Sequence, residues 1–420
     1  MKKYNHHKII SFVNLPIILF AILFSFNSCK IQNIEEEAFY KVNRERNSYQ
    51  NSYDEKVNKV KGRLLWDFNV ARDTIVFPSS PIYYKNTIYF GCSDGKIYSV
   101  NSSNGSLKWT FNTGTENKLS TPAISEDIIY FGSSNKYFYA VSLKSKKLIW
   151  SFLSDGEIEC SPIVFKDKVY FGTSSGTFYA LNIKNGKIVW SYEARDPINS
   201  SPAIADGMIY FGTYAGAFYE SEYDATLFAL DAEYGKEIWK FKTNGGNIST
   251  PCIWNNTIYF SSDWGELYYD PDYKNIGGFY ALDTKSGKEI WKHKLGSYLS
   301  SPILINGIIY RGVFGGIIAQ DAQNGKVLWS YDTILPRVDG TPAYANGAVF
   351  TTDSSGHLYS IDAKTGKEIW KLYLGDGEYN PRGDNPETST TPIIANDVLY
   401  VTLFKHNYSE DFSTLLKSFK

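Results

Sequence analysis

"DAKTGKEIWKL", residues 362–372, sets an Asp, a turn Gly and a lone Trp close together, and nearly the same string returns along the chain. "DAEYGKEIWKF" starts at Asp231, "DTKSGKEIWKH" at Asp283, "DAQNGKVLWSY" at Asp321 and "NIKNGKIVWSY" at Asn182. An active site needs one copy of such a turn, whereas a repeated building block needs many. Asp362 can accept hydrogen bonds from the turn amides ahead of it, and Gly366 supplies the backbone freedom of the turn. Trp370 follows four residues later as a large ring with something to bury.

Outward from that string the rest of each unit is legible. Every unit opens with Ser/Thr-Pro, at Pro81, Pro122, Pro162, Pro202, Pro251, Pro302, Pro342 and Pro392. Proline suits the first residue of a strand, where its missing N–H costs no ladder bond. A hairpin pair follows, "DG" at 206–207, "NG" at 306–307 and 346–347, "ND" at 396–397. The second strand reads "TIYFG", "IIYFG", "KVYFG", "MIYFG" or "TIYFS", and the third "TFYAL", "LFALD" or "HLYSI". Four antiparallel strands in roughly 40–50 residues are one blade of a β-propeller. With 16% aromatic residues and 33 Tyr, the composition favours pleated strands as well.

The Trp residues fix the blade count and the closure. Trp109, Trp150, Trp190, Trp239, Trp291, Trp329 and Trp370 close seven units, while Trp66 precedes the first Pro. The unit opening at Pro392 runs out of chain at Lys420, before a fourth strand. "GRLLWDF" at 62–68 supplies it, so the fold expected is all-β, an eight-bladed propeller whose last blade takes its outer strand from the region of Trp66. Closure of this kind leaves no sheet edge open inside the ring. Each Trp is expected to lie on the next blade, which removes roughly 150–250 Å² from water, several kcal/mol per boundary as an upper bound. Blade 2 departs from the pattern, because "SLKSKKLIW" has Ser142 and no Gly, and a looser or differently shaped turn is expected there.

The N-terminus reads differently. Residues 1–28 hold Lys2, Lys3 and Lys8, then "FVNLPIILFAILF", then small residues up to Cys29, the layout of an export leader. Ser28-Cys29 resembles a bacterial lipoprotein processing site, with Cys29 lipidated; the other reading is an ordinary secretory leader with an incidental Cys. Residues 29–61 then form a polar tether and residues 62–420 the propeller. Lys30 resembles the residue that sends lipoproteins onward, so a cell-envelope protein held at the outer membrane by lipid is expected. Removing the leader takes away three lysines and no acid, which leaves 40 Lys+Arg against 44 Asp+Glu. That balance excludes a basic footprint for nucleic acid. Cys92, Cys160 and Cys252 are odd in number and far apart, which argues for buried hydrophobes over a disulfide framework.

"SIDAKTGKEIW" at 360–370 and "ALDTKSGKEIW" at 281–291 resemble the quinoprotein-type propeller repeat and its A-x-D-x-x-T-G-K-x-x-W docking motif, with Ser360 for Ala and Ser286 for Thr. The resemblance covers about residues 62–420 and implies two kinds of function. One is that of the pyrroloquinoline-quinone dehydrogenases, which usually set two adjacent Cys against the quinone and hold Ca²⁺ with carboxylates and Asn. The other is that of the BamB family of non-enzymatic outer-membrane assembly lipoproteins. No adjacent Cys pair exists in this sequence. Asp376, Glu378, Asn380, Asp384 and Asn385 offer oxygens without a recognisable calcium-loop spacing. His293, His357 and His406 have no His or Cys neighbour at ligand spacing. From these absences the expectation is a non-enzymatic, BamB-like scaffold or binding platform, without cofactor or metal, with no catalytic residue. A quinone- and Ca²⁺-dependent dehydrogenase and a surface glycan-binding lipoprotein stand as alternatives.

Unit length points to a candidate surface. Units four and five grow between their second and third strands, at 213–228 and 262–278, and additions follow at 375–389 and 405–413. The first two carry Tyr214, Phe218, Tyr219, Tyr223, Trp264, Tyr268, Tyr269 and Tyr273 beside Glu220, Glu266 and Asp270. This acidic aromatic crest is expected either to capture a partner, another envelope protein or a glycan, or to cap the rim by packing on itself. The ring itself is expected to be monomeric, with the membrane reached through the lipid.

Overall fold

In the computed structural model the described residues are 61–72, 77–215, 225–243, 245–263, 278–293, 300–334, 338, 340–375, 390–406 and 412–420. They form eight antiparallel sheets, six of them meanders of four strands in sequence order, and no helix. Blade 3 is typical, with Ile163–Phe165, Lys168–Gly172, Thr177–Asn182 and Ile188–Glu193 from the axis outward. Blade 5 adds a short strand, Asn247–Ile248, beside Thr257–Asp263. The blade-8 sheet runs Ile393–Ala395, Val398–His406, Phe412–Phe419 and then Leu64–Arg72 from the other end of the chain. Trp66 faces Ser418 across that junction, and Arg63 and Lys420 exchange both backbone hydrogen bonds at 3.0 and 2.9 Å.

The hairpins joining first and second strands are tight because their residues adopt positive φ, as at Asn255 and Asn256 (46° and 59°) and at Asn306 and Gly307 (52° and 76°). The core lies between blades. Phe138 of blade 2 stacks on Phe171 of blade 3 with centroids 4.3 Å apart, and Phe178 on Phe211 of blade 4 at 4.0 Å.

Trp is the third residue of the outer strand in all eight blades, not its end, and it is aimed by a bulge. In blade 3 Ala180 pairs with Trp190 but Leu181 with Ile188, so Val189 is extra, and the same shift precedes the Trp in all eight blades. The indole then meets the next blade's turn glycine. A Cβ on Gly186 would stand 2.5 Å from Trp150, and one on Gly366 would stand 2.7 Å from Trp329. Asp362 Oδ1 accepts from the amides of Lys364 and Thr365 and fixes that turn, where Gly366 has a φ of 71°. Gly62 takes the same part at the closure and sits against Trp370.

The blade 2 turn corrects one expectation. It keeps the common shape, with Lys146 at φ 58° and its N–H on Ser142 O at 2.8 Å, as Gly186 N–H bonds Asn182 O. The chain accepts a side chain in the left-handed region rather than change the turn.

Candidate functional site

Antiparallel meanders send the hairpins of first and second strands, and the turns of third and fourth, to one end of the ring. Loops between second and third strands and between blades emerge at the other end. At this second end the Ser/Thr before each proline opens the innermost strand. There the hydroxyls link blades: Ser161 N–H donates to Ser201 Oγ (2.9 Å), Ser201 N–H to Thr250 Oγ1 (3.2 Å), Thr250 N–H to Ser301 Oγ (3.2 Å) and Thr391 N–H to Ser80 Oγ (2.9 Å). One residue earlier, a second set ties each innermost strand to its neighbour. Ser120, Ser200 and Ser300 accept from the N–H of Gly132, Gly212 and Gly312 at 3.0, 2.6 and 3.1 Å. Cys160 does the same with its sulfur, accepting from Gly172 N–H at 3.2 Å. Burial pushes its thiol up to about 12, so it is an inert fastener.

The belt is not closed on itself. The hydroxyl oxygens of Thr121, Ser161 and Thr391 and Oδ1 of Asn247 are buried without a hydrogen-bond partner among the described residues. Buried polar atoms are normally paired, so the unpaired hydroxyls at the starts of inner strands are groups a bound polar molecule can satisfy, although those of Ser99, Thr351 and Ser360, within the strands of blades 1 and 7, are unpaired as well.

Blade 7 brings together Asp353, Ser355, His357 and Tyr359 in its second-to-third-strand turn, all buried. Asp353 Oδ1 accepts from Ser355 N–H and Oγ (3.0 and 2.6 Å) and from His357 N–H (3.1 Å), and Tyr359 donates to Oδ2 at 2.7 Å. Ser355 Oγ lies 2.8 Å from His357 Nδ1. The imidazole does not stand between serine and carboxylate, as a base activating a nucleophile would. Blade 1 repeats the Tyr–Asp pair, Tyr98 donating to Asp94 at 2.8 Å, so the cluster fastens a turn. Desolvation holds His357 below the ordinary imidazole value.

Of the crest expected from sequence, Tyr214 is described. Its N–H donates to Pro197 O at 2.8 Å, its backbone bridges Asn247, and burial raises its phenol. Phe218, Tyr219, Glu220, Tyr223, Trp264, Glu266, Tyr268, Tyr269, Asp270 and Tyr273 lie outside the described residues, as do Cys29 and the carboxylates from 376 to 385. Cys92 and Cys160 are buried, Cys252 is half-buried, and none of the three is in a disulfide. Among the described residues no three of His, Cys, Asp and Glu come together as a metal site, and no helix is long and apolar enough to cross a membrane. The hydroxyl belt and the Tyr of the second strand were not singled out in the sequence as functional parts. Their signal was present in the recurring Ser/Thr-Pro and I-Y-F-G strings.

The family model described as "Outer membrane protein assembly factor BamB" matches residues 43–191, 139–226 and 273–413, most of the chain. The chain belongs to this family. BamB from Moraxella catarrhalis superimposes with a TM-score of 0.62 at 16% identity, over 86% of this chain and 99% of that one. A europium-containing methanol dehydrogenase superimposes at 0.66 with 14% identity, over 87% of this chain and 95% of that one. At these identities the likeness establishes the fold alone.

Curated relatives are nearer in sequence but match shorter segments. Tetrathionate hydrolase of Acidithiobacillus ferrooxidans is 32% identical over 125 residues, 23% of this chain and 25% of that protein. The dehydrogenase subunit of the quinone alcohol dehydrogenase of Gluconobacter oxydans is 35% identical over 105 residues, 22% of this chain and 12% of that one. The match therefore spans a quarter or less of the length of these relatives.

These relatives correct the expectation of a non-enzymatic scaffold. Proteins sharing this repeat at about 30% identity are named as enzymes, quinone-dependent alcohol dehydrogenases among them. The missing Cys pair and the missing loop spacing were weak grounds for excluding catalysis. In a propeller the repeat builds the frame while irregular loops carry chemistry, and irregular loops have no period to read.

Proposed function

We propose that this chain is an oxidoreductase of the quinoprotein type, oxidising an alcohol at the loop-bearing end of its propeller. The observation that carries the reading is the set of buried, unpartnered hydroxyls of Thr121, Ser161 and Thr391 around the axis at that end. The names of the curated relatives, quinone alcohol dehydrogenases, agree in reaction class.

The fit to a quinone cofactor is good in one respect and poor in another. Hydroxyls that can donate or accept suit a flat ring edged with oxygens. The vicinal thiol pair of the family's dehydrogenases has no counterpart, since the described cysteines sit in three different blades. A bound quinone supplies a two-electron acceptor, the alcohol losing two electrons and two protons to become a carbonyl compound. Thr121, Ser161 and Thr391 would hold and orient the ring, and the interblade hydrogen bonds of Ser161 and Thr391 keep the backbone of those two from shifting. The leader pattern ending at Cys29 supports a further part of the reading, that the enzyme is held in the cell envelope by lipid on that residue.

The test is direct. The full chain is mixed with pyrroloquinoline quinone and either Ca²⁺ or a lanthanide, given a primary alcohol, and followed by reduction of an artificial dye. Quinone-dependent dye reduction that drops at least tenfold in Thr121→Val with Thr391→Val is the expected result. No quinone binding and no turnover with either metal would refute the reading.

A further inference from the structure

Blade 6 breaks the apolar code of the interblade layers at two facing positions. The second strand carries Phe90, Phe131, Phe171, Phe211 and Phe260 in the first five blades, and Arg311 in the sixth. The third strand carries Leu181, Leu230 and Leu282 where blade 6 has Gln320. The guanidinium takes the place of a phenyl ring. Its carbon lies 4.3 Å from the centroid of Phe279 in blade 5, in the layer where Phe171 stacks on Phe138 and Phe211 on Phe178.

Arg311 and Gln320 are both fully buried. Arg311 Nε donates to Gln320 Oε1 at 2.8 Å, and Gln320 Nε2 donates to Gly325 O at 2.9 Å. Nη2 is buried with no partner among the described residues. The pair is thus held with care on one side and left open on the other. Burial without a neighbouring carboxylate lowers the guanidinium to about 9. A buried positive charge with no counter-charge is strongly unfavourable, and an aromatic face offsets only part of that cost.

We propose that a monatomic anion of the chloride class binds between blades 5 and 6 against Nη2 of Arg311. The shape of the site selects the class. Nε is occupied by Gln320, so the side-on Nε–Nη2 edge, one of the two through which a carboxylate takes a bidentate grip, is closed. Phe279 covers one face and Nη2 is itself buried, which favours a single small atom over a plate. The ion supplies the missing charge and locks two blades together, apart from the hydroxyl belt at the axis.

The test compares the full chain in sodium chloride and in sodium gluconate at equal ionic strength. Chloride is expected to raise Tm by about 2 °C, the size of a linkage effect at roughly tenfold excess over Kd. The double variant Arg311→Phe with Gln320→Leu, which gives blade 6 the residues of blades 3, 4 and 5, is expected to lose that difference. Should the variant fail to fold, bromide-soaked crystals of the unaltered protein decide, with an anomalous peak expected within hydrogen-bond reach of Nη2. Equal Tm in both salts, a halide response that survives in the double variant, or no bromide peak overturns the proposal.

Discussion

Tyr210 and Trp239 of blade 4 donate to the same oxygen, the carbonyl of Thr284 in blade 5, at 3.2 and 2.7 Å. The arrangement recurs around the ring. Tyr170 and Trp190 meet at Ala232 O (2.9 and 3.2 Å), Tyr259 and Trp291 at Ala322 O (both 3.1 Å), and Tyr310 and Trp329 at Ala363 O (3.1 and 2.9 Å). Across the chain's junction Tyr400 and Trp66 meet at Ser102 O, both at 3.2 Å. A carbonyl has two lone pairs, and here both are spent on one neighbouring blade. The Tyr ring also packs against its Trp, with centroids 5.8 Å apart for Tyr210 and Trp239.

Removing one donor of a clamp should cost less than removing the ring beside it. Tyr210→Phe is expected to lower stability by about 1 kcal/mol, the net worth of a buried hydrogen bond, since Phe350 already fills this position in blade 7. Trp239→Ala, which also opens a cavity, is expected to cost about 3–5 kcal/mol. Urea denaturation of both variants checks the order, and equal losses would mean that the shared carbonyl matters more than packing.

The turn of blade 2 should be improvable. Lys146 holds φ at 58° without being glycine, and Trp109 makes no indole bond to blade 2 among the described contacts. Lys146→Gly is expected to gain about 1 kcal/mol by relieving the left-handed side chain. Gly366→Ala is expected to lose about 1–3 kcal/mol, because its Cβ would meet Trp329 at 2.7 Å. Opposite signs in a chemical denaturation series are the outcome to look for.

Ring closure should be an all-or-none matter. Deleting residues 1–72 strips the partner from Phe412–Phe419 and the cap from Trp370. An unpaired edge and an uncovered indole then face solvent, so aggregation is expected on gel filtration, with the full chain expected to elute as a single species. A monodisperse, fully stable deletion variant would show that the junction contributes little.

His357 should make the fold sensitive to acid. Burial lowers its folded pKa, opposed by Asp353 and reinforced by Lys371, so the neutral ring is the form the native state favours. The unfolded chain binds the proton more readily, near the ordinary value of about 6.5, and stability falls as pH drops through that value. His357→Gln is expected to flatten the fall in Tm between about pH 7.5 and 5.5 relative to the unaltered protein. A parallel fall in both would place the acid response in other groups.

Much of this molecule was legible in order. The Ser/Thr-Pro, hairpin and Gly-Trp signals lie within a few residues of one another, and local sterics fix what each can do. The function was not legible in the same way. Arg311 in "IIYRGV" breaks a pattern plainly visible in the sequence, yet nothing in the string says which blade's ring it covers. The missing Cys pair invited a scaffold reading, because an absent motif was given the weight of an absent activity.

The chain alone determined the blade count, the turn chemistry and the loan of residues near Trp66 to the last blade, because those follow from period, glycine and proline. Only the tertiary structure decided that Tyr and Trp share one carbonyl, that Gly62 caps Trp370, and that the hydroxyls of Thr121, Ser161 and Thr391 and one guanidinium nitrogen are among the groups left buried and unpartnered. Each of these joins residues of different blades, and hydrogen-bond satisfaction between blades is set by distance in space, to which a one-dimensional pattern is blind.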